Sequence, residues 1–159
     1  MCFAPSRLML RLIMTLLPIL ALVSAALFAG AAGYITLVEH PARLRLEDRP
    51  LLAQWQPSYS RALPIQSRLA IVGGLSGLAS WYLLGDWLWI VGSLVLLANW
   101  PFTLLGIMPT NKRLKGIAPE HASFESRALL VAWGKLHNVR SALGLASMML
   151  FAWALAAVA

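Results

Sequence analysis

The chain has 159 residues, of which 60% are hydrophobic and 12% charged, and its mean hydropathy is +0.73. Soluble domains carry about 25% charged residues, so this composition predicts an integral membrane protein. The formal net charge is +7. The basic residues lie between apolar runs, which predicts contact with membrane lipid headgroups and argues against nucleic-acid binding. Cys2 is the single cysteine, which excludes an intramolecular disulfide and a thiolate metal cluster.

The first apolar segment, residues 12–38, is long enough to cross a hydrocarbon core about 30 Å thick. Arg7 and Arg11 precede it, as basic residues also precede the core of a signal peptide. The run is about twice as long as such a core. We therefore predict an uncleaved helix.

Three more apolar segments complete the predicted fold: 65–84, 87–108 and 137–158. Gly85 and Asp86 are the only residues between the second and third segments, so these two helices must pack antiparallel. The sequence therefore predicts an all-α fold, a transmembrane antiparallel four-helix bundle that forms one domain over residues 1–159.

The predicted loops 39–64 and 109–136 hold most of the Lys and Arg residues. By the positive-inside rule, both loops are expected in the cytoplasm and both termini outside. Arg7 and Arg11 oppose this orientation.

Polar side chains converge on one end of the predicted bundle. In an antiparallel bundle, the ends of helices one and three meet the starts of helices two and four. This brings His40, Asn111, His137 and Arg140 to the same end. Arg140 is near the predicted interface, where its side chain could reach water without binding a ligand.

Asn99 lies about 18 Å along the third helix, at the rise of 1.5 Å per residue, and so near mid-membrane. Its amide needs a partner there, either across helices or in a ligand cavity. Pro101 removes a helical hydrogen bond and predicts a kink that would open space for such a cavity.

His40 and His137 could serve as a general base, a bis-imidazole haem site or a metal pair, or could be hydrogen-bonded structural groups. Metal-binding bundles use Glu-x-x-His spacing, and His-Glu-x-x-His is the corresponding zinc motif; the sequence contains neither. We therefore predict no metal and no cofactor.

Two stretches resemble the anthrone oxygenase-like membrane family: residues 99–114 (NWPFTLLGIMPTNKRL) and residues 133–140 (WGKLHNVR). The order and spacing of the two blocks match that family, and the four-helix layout covers nearly the whole chain. The resemblance implies a cofactor-independent oxygenase that deprotonates an acidic carbon, so that the carbanion reacts directly with O2.

The resemblance also implies site roles. His137 would be the base or a hydrogen-bond donor, and Asn111 and Arg140 would stabilise the enolate oxygen, which makes these three the predicted catalytic residues. Trp133 would stack on the substrate ring. The predicted substrate-binding residues are Trp133, His40, Asn99, Thr110 and Trp100.

Two functions stay open at this stage, and a third, transport, is weaker, because four helices without an inverted repeat make a poor transporter unless they form an oligomer. The first is oxidation of an apolar aromatic or quinone-type molecule taken from the bilayer. The second is a non-enzymatic membrane protein that binds a lipid or hydrophobic small molecule, or that supports a membrane complex. Assembly into a homo-oligomer is compatible with both.

Overall fold

The computed structural model describes residues 7–158, with side chains for residues 7–157; Cys2 lies outside these residues. Within this range the chain forms helices and no strand. The four helices are Arg7–Arg43, Asp48–Leu84, Trp87–Gly116 and Phe124–Val158. The all-α prediction is therefore confirmed.

The first and third helices are not α-helical throughout. The first is α-helical over Arg7–Tyr34, π-helical over Ile35–Glu39, and α-helical again over His40–Arg43. The third has a turn at Ala98 and a π-helical segment over Thr103–Ile107. Single π turns inside α-helices are frequent at functional sites.

The helices pack as an antiparallel square in which each one contacts its neighbours in chain order and the first also contacts the fourth. Gly85 adopts a positive φ of 77°, and Asp86 accepts a hydrogen bond from the Leu88 amide at 3.0 Å. These two residues end one helix and begin the next, as the sequence predicts.

Three helices, Arg7–Arg43, Trp87–Gly116 and Phe124–Ala157, are long and apolar enough to cross a membrane. The second helix is less apolar, and small residues on its buried face pack closely against its neighbours. A Cβ added at Gly73 would lie 2.8 Å from Leu96 Cδ2, and one added at Gly77 would lie 2.7 Å from Phe151 Cζ. This close approach is the role expected for small residues in lipid.

The predicted loop 39–64 is mostly helical, which corrects the sequence-based boundary. Only residues 44–47 connect the first helix to the second, although Pro57 and Pro64 lie inside the latter. Leu51, Trp55 and Tyr59 recur at four-residue steps and are buried. Burial of this helical face outweighs the turn preference of the prolines.

The predicted loop 109–136 is also shorter than expected. The third helix continues to Gly116 and the fourth begins at Phe124, so only residues 117–123 connect them. Ser126 Oγ accepts a hydrogen bond from the Ser123 amide at 2.9 Å and donates one to the Ser123 carbonyl at 2.8 Å. This local pair of bonds fixes the start of the fourth helix.

Two apolar cores lie along the bundle. One combines alanines with larger side chains such as Phe28, Trp89 and Phe151, and the other contains the aromatic residues Trp55, Tyr59 and Trp133. A layer of buried polar side chains separates them, including Gln66, His137 and Arg140. This layer contains the candidate site.

Candidate functional site

A cavity of about 20 Å³ lies between the first, second and fourth helices. Its aromatic and polar lining residues are Glu39, Arg43, Trp55, Ser58, Tyr59, Gln66, Trp133, His137 and Arg140. A volume of roughly 10–15 Å³ is enough for one water molecule. In this conformation the cavity therefore accommodates one water molecule or another molecule of that size.

Arg140 is a buried cation without a carboxylate partner. Its side chain is 5% exposed, and Nη2 donates to Gln66 Oε1 at 2.9 Å. The guanidinium carbon lies 5.7 Å from the centre of the Phe28 ring. Among residues 7–157, no Asp or Glu forms an ion pair with it, and its Nε has no hydrogen-bond partner. Burial of an uncompensated charge is costly, so this arrangement suits an anionic ligand.

His137 is next to Arg140 and is 2% exposed. Its Nδ1 lies 3.2 Å from Thr36 Oγ1, which in turn lies 2.8 Å from Ser141 Oγ. No side chain in the described part of the protein hydrogen-bonds to Nε2 of this ring, and His137 lines the cavity. The second ring nitrogen is therefore the one available to a ligand.

Tyr59 brings a hydroxyl group to the cavity. Asn111 Nδ2 donates to Tyr59 Oη at 2.8 Å, and the Tyr59 ring stacks on Trp55 with 4.9 Å between ring centres. Burial raises the pKa of the Tyr59 phenol above its ordinary value of 10.0. Tyr59 is therefore neutral at physiological pH and can donate its proton to a ligand oxygen.

Trp133 is at the centre of an aromatic cluster. Its ring centre lies 4.8 Å from that of His137, 5.2 Å from that of His40 and 5.7 Å from that of Trp55. A Cβ added at Gly134 would overlap His40 Nε2, so the absence of a side chain there makes room for the His40 ring. The cluster gives one wall of the cavity flat apolar surfaces.

An ion pair forms another part of the cavity wall. Arg43 is buried and binds Glu39 and the Gln54 side-chain oxygen. Because Glu39 neutralises Arg43, the net positive charge of the layer comes from Arg140.

Comparison with known proteins identifies the family. The family model for anthrone oxygenase matches residues 55–150, which is more than half of the chain. The chain belongs to the anthrone oxygenase family. No curated protein and no solved structure matches it.

The segment matched by the anthrone oxygenase model includes Tyr59, Gln66, Asn111, His137 and Arg140. The first helix lies outside this segment, although it provides Thr36, Glu39 and Arg43 to the site. The site of this family member is therefore complete only when the first helix packs on the other three.

The structure brings together most of the residues that were selected from the sequence. His137, Arg140 and Trp133 line the cavity, and Asn111 reaches it through Tyr59. His40 packs against Trp133 on the side of Gly134 and is not among the lining residues. Arg140 lies inside the bundle rather than extending to water, which resolves the alternative left open by its position in the sequence.

The remaining selected residues lie elsewhere on the third helix. Asn99 is buried, and its Nδ2 donates to the Leu96 carbonyl at 3.0 Å, within its own helix. Trp100 is 43% exposed and lines a separate groove between the second and third helices. Thr110 is partly buried and is not among the residues that line the cavity.

Sequence analysis did not select Trp55, Tyr59, Gln66 or Thr36. The first two were missed because residues 39–64 were assigned to a loop. Trp55, Tyr59 and Gln66 are separated by four and seven residues, which places them on one helical face, and this spacing was the available signal. Within residues 7–158, no three or more His, Cys, Asp or Glu side chains are grouped to bind a metal ion.

Proposed function

We propose that this protein is an oxygenase that converts an apolar aromatic ketone of the anthrone type into a quinone, without a cofactor. One observation carries the proposal: the buried Arg140 guanidinium has no carboxylate partner among residues 7–157 and lines the same cavity as His137. A base next to an unneutralised cation suits formation of an enolate.

The proposed reaction begins with proton transfer from the substrate methylene carbon to His137 Nε2. The resulting carbanion is conjugated with the ketone, so its charge is shared with the oxygen. It adds O2 at carbon to give a peroxide anion, which takes a proton and becomes a hydroperoxide. Loss of water then forms the second carbonyl group. One ketone and one O2 give one quinone and one water, so the atoms balance.

Three donors support the charge that develops on the ketone oxygen. Arg140 provides Nε and Gln66 provides Nε2, and both atoms are buried without a hydrogen-bond partner within residues 7–157. Tyr59 adds its phenol proton, held in position by Asn111. Each preorganised donor to an oxyanion contributes roughly 10²–10³-fold in rate. Trp133 would stack on the substrate ring.

Substrate entry requires a conformational change. The cavity is about 20 Å³, whereas pockets for drug-sized ligands are roughly 300–1,000 Å³. Leu63 lines both the cavity and a groove of about 120 Å³ between the second and third helices, which Trp100 also lines. We propose that an apolar substrate enters from the bilayer through this groove when the Leu63 side chain moves aside.

The small cavity also favours a second candidate, a non-enzymatic protein that binds a lipid or another hydrophobic molecule. In that case the polar layer between the two cores would hold the helices together without chemistry. Membrane lipids are expected partners under both proposals, and a homo-oligomer stays compatible with both.

Assay of the full chain in detergent micelles distinguishes the two candidates. An anthrone-type ketone is supplied under air, and O2 consumption and quinone absorbance are recorded together. We expect equal amounts of O2 used and quinone formed, with loss of turnover by about 100-fold or more in His137→Ala. His121→Ala is the matched control, because His121 is exposed in the loop before the fourth helix. Equal turnover in His137→Ala and the parent would refute the base assignment.

We also propose that the end carrying both longer connections faces the cytoplasm and that both termini lie outside. Exposed basic residues at this end, including Arg45, Arg49 and Arg113, support this orientation. Single cysteines at Glu125 and Trp87, introduced in a Cys2→Ser background, test it with a membrane-impermeant thiol reagent. On intact cells, Trp87→Cys is expected to react and Glu125→Cys to be protected. The opposite pattern would reverse the orientation.

A further inference from the structure

Three hydrogen bonds form a closed loop that begins and ends on His137. The ring Nδ1 lies 3.2 Å from Thr36 Oγ1, and Thr36 Oγ1 lies 2.8 Å from Ser141 Oγ. Ser141 Oγ donates to the His137 carbonyl oxygen at 3.3 Å. Ser141 is four residues after His137 on the same helix, where this bond to a backbone carbonyl is a common geometry.

The number of available protons sets the direction of every bond in this loop. A hydroxyl group has one proton, and a carbonyl oxygen can only accept. Ser141 therefore uses its proton on the carbonyl, so Thr36 must donate to Ser141. Thr36 then has no proton left for the ring, and must accept one from His137 Nδ1. The reverse direction would satisfy only two of the three bonds.

From this geometry we propose that Thr36 and Ser141 are positioning residues that hold neutral His137 with its proton on Nδ1. Nε2 then carries a lone pair on the side of the cavity. Neither residue touches the substrate; both act through the ring. The assignment of the proton stands on the hydrogen bonds alone, whereas its catalytic consequence rests on the proposed function.

Helix geometry explains how Thr36 reaches the ring. Thr36 belongs to the π-helical segment Ile35–Glu39, where the turn contains an additional residue. The same segment places Ile35 and Glu39 at the cavity. The π-helical segment thus supplies one side chain that contacts the fourth helix and two that line the cavity, and all three residues lie outside the segment matched by the family model.

The loop also restricts where a proton can go. It ends at a carbonyl oxygen of His137 itself, which cannot pass a proton onward. A proton taken up at Nε2 therefore returns to the cavity. In the proposed reaction, its acceptor is the peroxide anion that forms after O2 adds to carbon, and the hydroperoxide keeps that proton.

Nitrogen NMR of the histidine rings tests the assignment directly and needs no substrate. The full chain is labelled with ¹⁵N-histidine in detergent micelles, and His137→Gln identifies the signals of His137 among those of the three histidines. We expect a protonated-type shift at Nδ1 and an unprotonated-type shift at Nε2. A proton on Nε2 of the neutral ring in the parent protein would overturn the proposal.

Two substitutions at Thr36 separate the hydroxyl from the shape of the side chain. Thr36→Val keeps the shape without the hydroxyl and is expected to mix the two tautomers, whereas Thr36→Ser keeps the hydroxyl and the parent pattern. Thr15→Val is the matched control, because Thr15 is exposed on the same helix and bonds only to the Arg11 carbonyl. An unchanged pattern in Thr36→Val would refute the positioning role.

An activity measurement on the same variants separates this inference from the proposed function. We expect kcat to fall about tenfold in Thr36→Val with little change in KM, and to recover in Thr36→Ser. Ser141→Ala is expected to act in the same direction as Thr36→Val. If the NMR pattern is as expected but no variant or parent oxidises an anthrone, the proposed function fails and the positioning role stands. If the parent is active and Thr36→Val changes neither kcat nor the tautomer, only the positioning role fails.

Discussion

Substitution of Arg140 and of Arg127 should have opposite effects on turnover and stability, although both arginines bridge helices. Arg140 lies in the polar layer without a carboxylate partner among the described residues. Arg127 binds Asp48 through Nε and donates to the carbonyl oxygens of Leu44 and Leu46. Substitution of each by Met keeps a similar length and removes the charge.

For Arg140→Met, the opposing contributions to stability nearly cancel. Replacing a buried ion pair by apolar side chains is often neutral or stabilises a fold by about 1–4 kcal/mol, and removal of the unpaired Arg140 charge should give a gain of the same order. Against this, Gln66 Oε1 loses its donor, which costs about 1–3 kcal/mol. The contact with the Phe28 ring contributes roughly 0.5–2 kcal/mol, and it is also lost. We expect the free energy of unfolding to change by less than about 2 kcal/mol, and turnover to fall about 100-fold.

For Arg127→Met, only losses are expected. Three charge-assisted hydrogen bonds disappear, and the two carbonyl groups that lose a donor belong to the connection between the first two helices. Because the Arg127 and Asp48 side chains are 28% and 33% exposed, each bond contributes only about 1 kcal/mol. The free energy of unfolding should fall by about 3 kcal/mol, with turnover per folded molecule unchanged.

Thermal unfolding in detergent micelles, followed by the fluorescence of the seven tryptophans, measures stability. Quinone formation by the folded fraction measures turnover. The reasoning would be wrong if Arg140→Met lost as much stability as Arg127→Met, because Arg140 would then be a structural residue. Full turnover in Arg140→Met would refute its role at the oxyanion.

Three further changes have defined outcomes. Gly134→Ala should lower the free energy of unfolding by about 1–3 kcal/mol, because the added methyl group overlaps His40. Gly33→Ala should be neutral or stabilising, because a Cβ added there has no neighbouring atom within 4 Å. Equal melting temperatures of the two variants would contradict this expectation. Leu63→Ala should lower KM for a bulky anthrone and Leu63→Trp should raise it, whereas identical KM values would exclude entry past this side chain. The pKa of Tyr59 is raised in the fold, so its contribution to stability is complete below pH 10 and declines above it. Tyr59→Phe should flatten the alkaline decline of the free energy of unfolding. An unchanged dependence of stability on pH would exclude Tyr59 as the source of that decline.

The positions of the helices were largely predictable, but their ends were not. Apolar runs mark the spanning segments because a helix that crosses the hydrocarbon core must present apolar side chains to the lipid. The boundary at residues 39–64 was wrong because the helix ends were placed where the apolar runs end. Leu51, Trp55 and Tyr59 bury one face of a helix there, and that burial depends on partners from the third and fourth helices.

The candidate site was also predictable only in part. His137, Arg140 and Asn111 come from motifs that are local in the sequence, so the pattern alone could identify them. Asn99, Trp100 and Thr110 belong to the same motif but lie away from the cavity, because neighbours in sequence point in different directions around a helix. Adjacency in a motif therefore did not establish adjacency in the site.

By itself, the sequence determined the lipid-facing composition, the four apolar segments, the antiparallel connection at Gly85 and Asp86, and the family. These features depend on the chemistry of short contiguous stretches. Only the tertiary structure decided that Arg140 is buried without a carboxylate partner and that Thr36 contacts His137 across 101 positions. Such pairs come from the packing of separate helices, including the rotation that a π turn introduces. The periodicity of a single segment does not predict that packing.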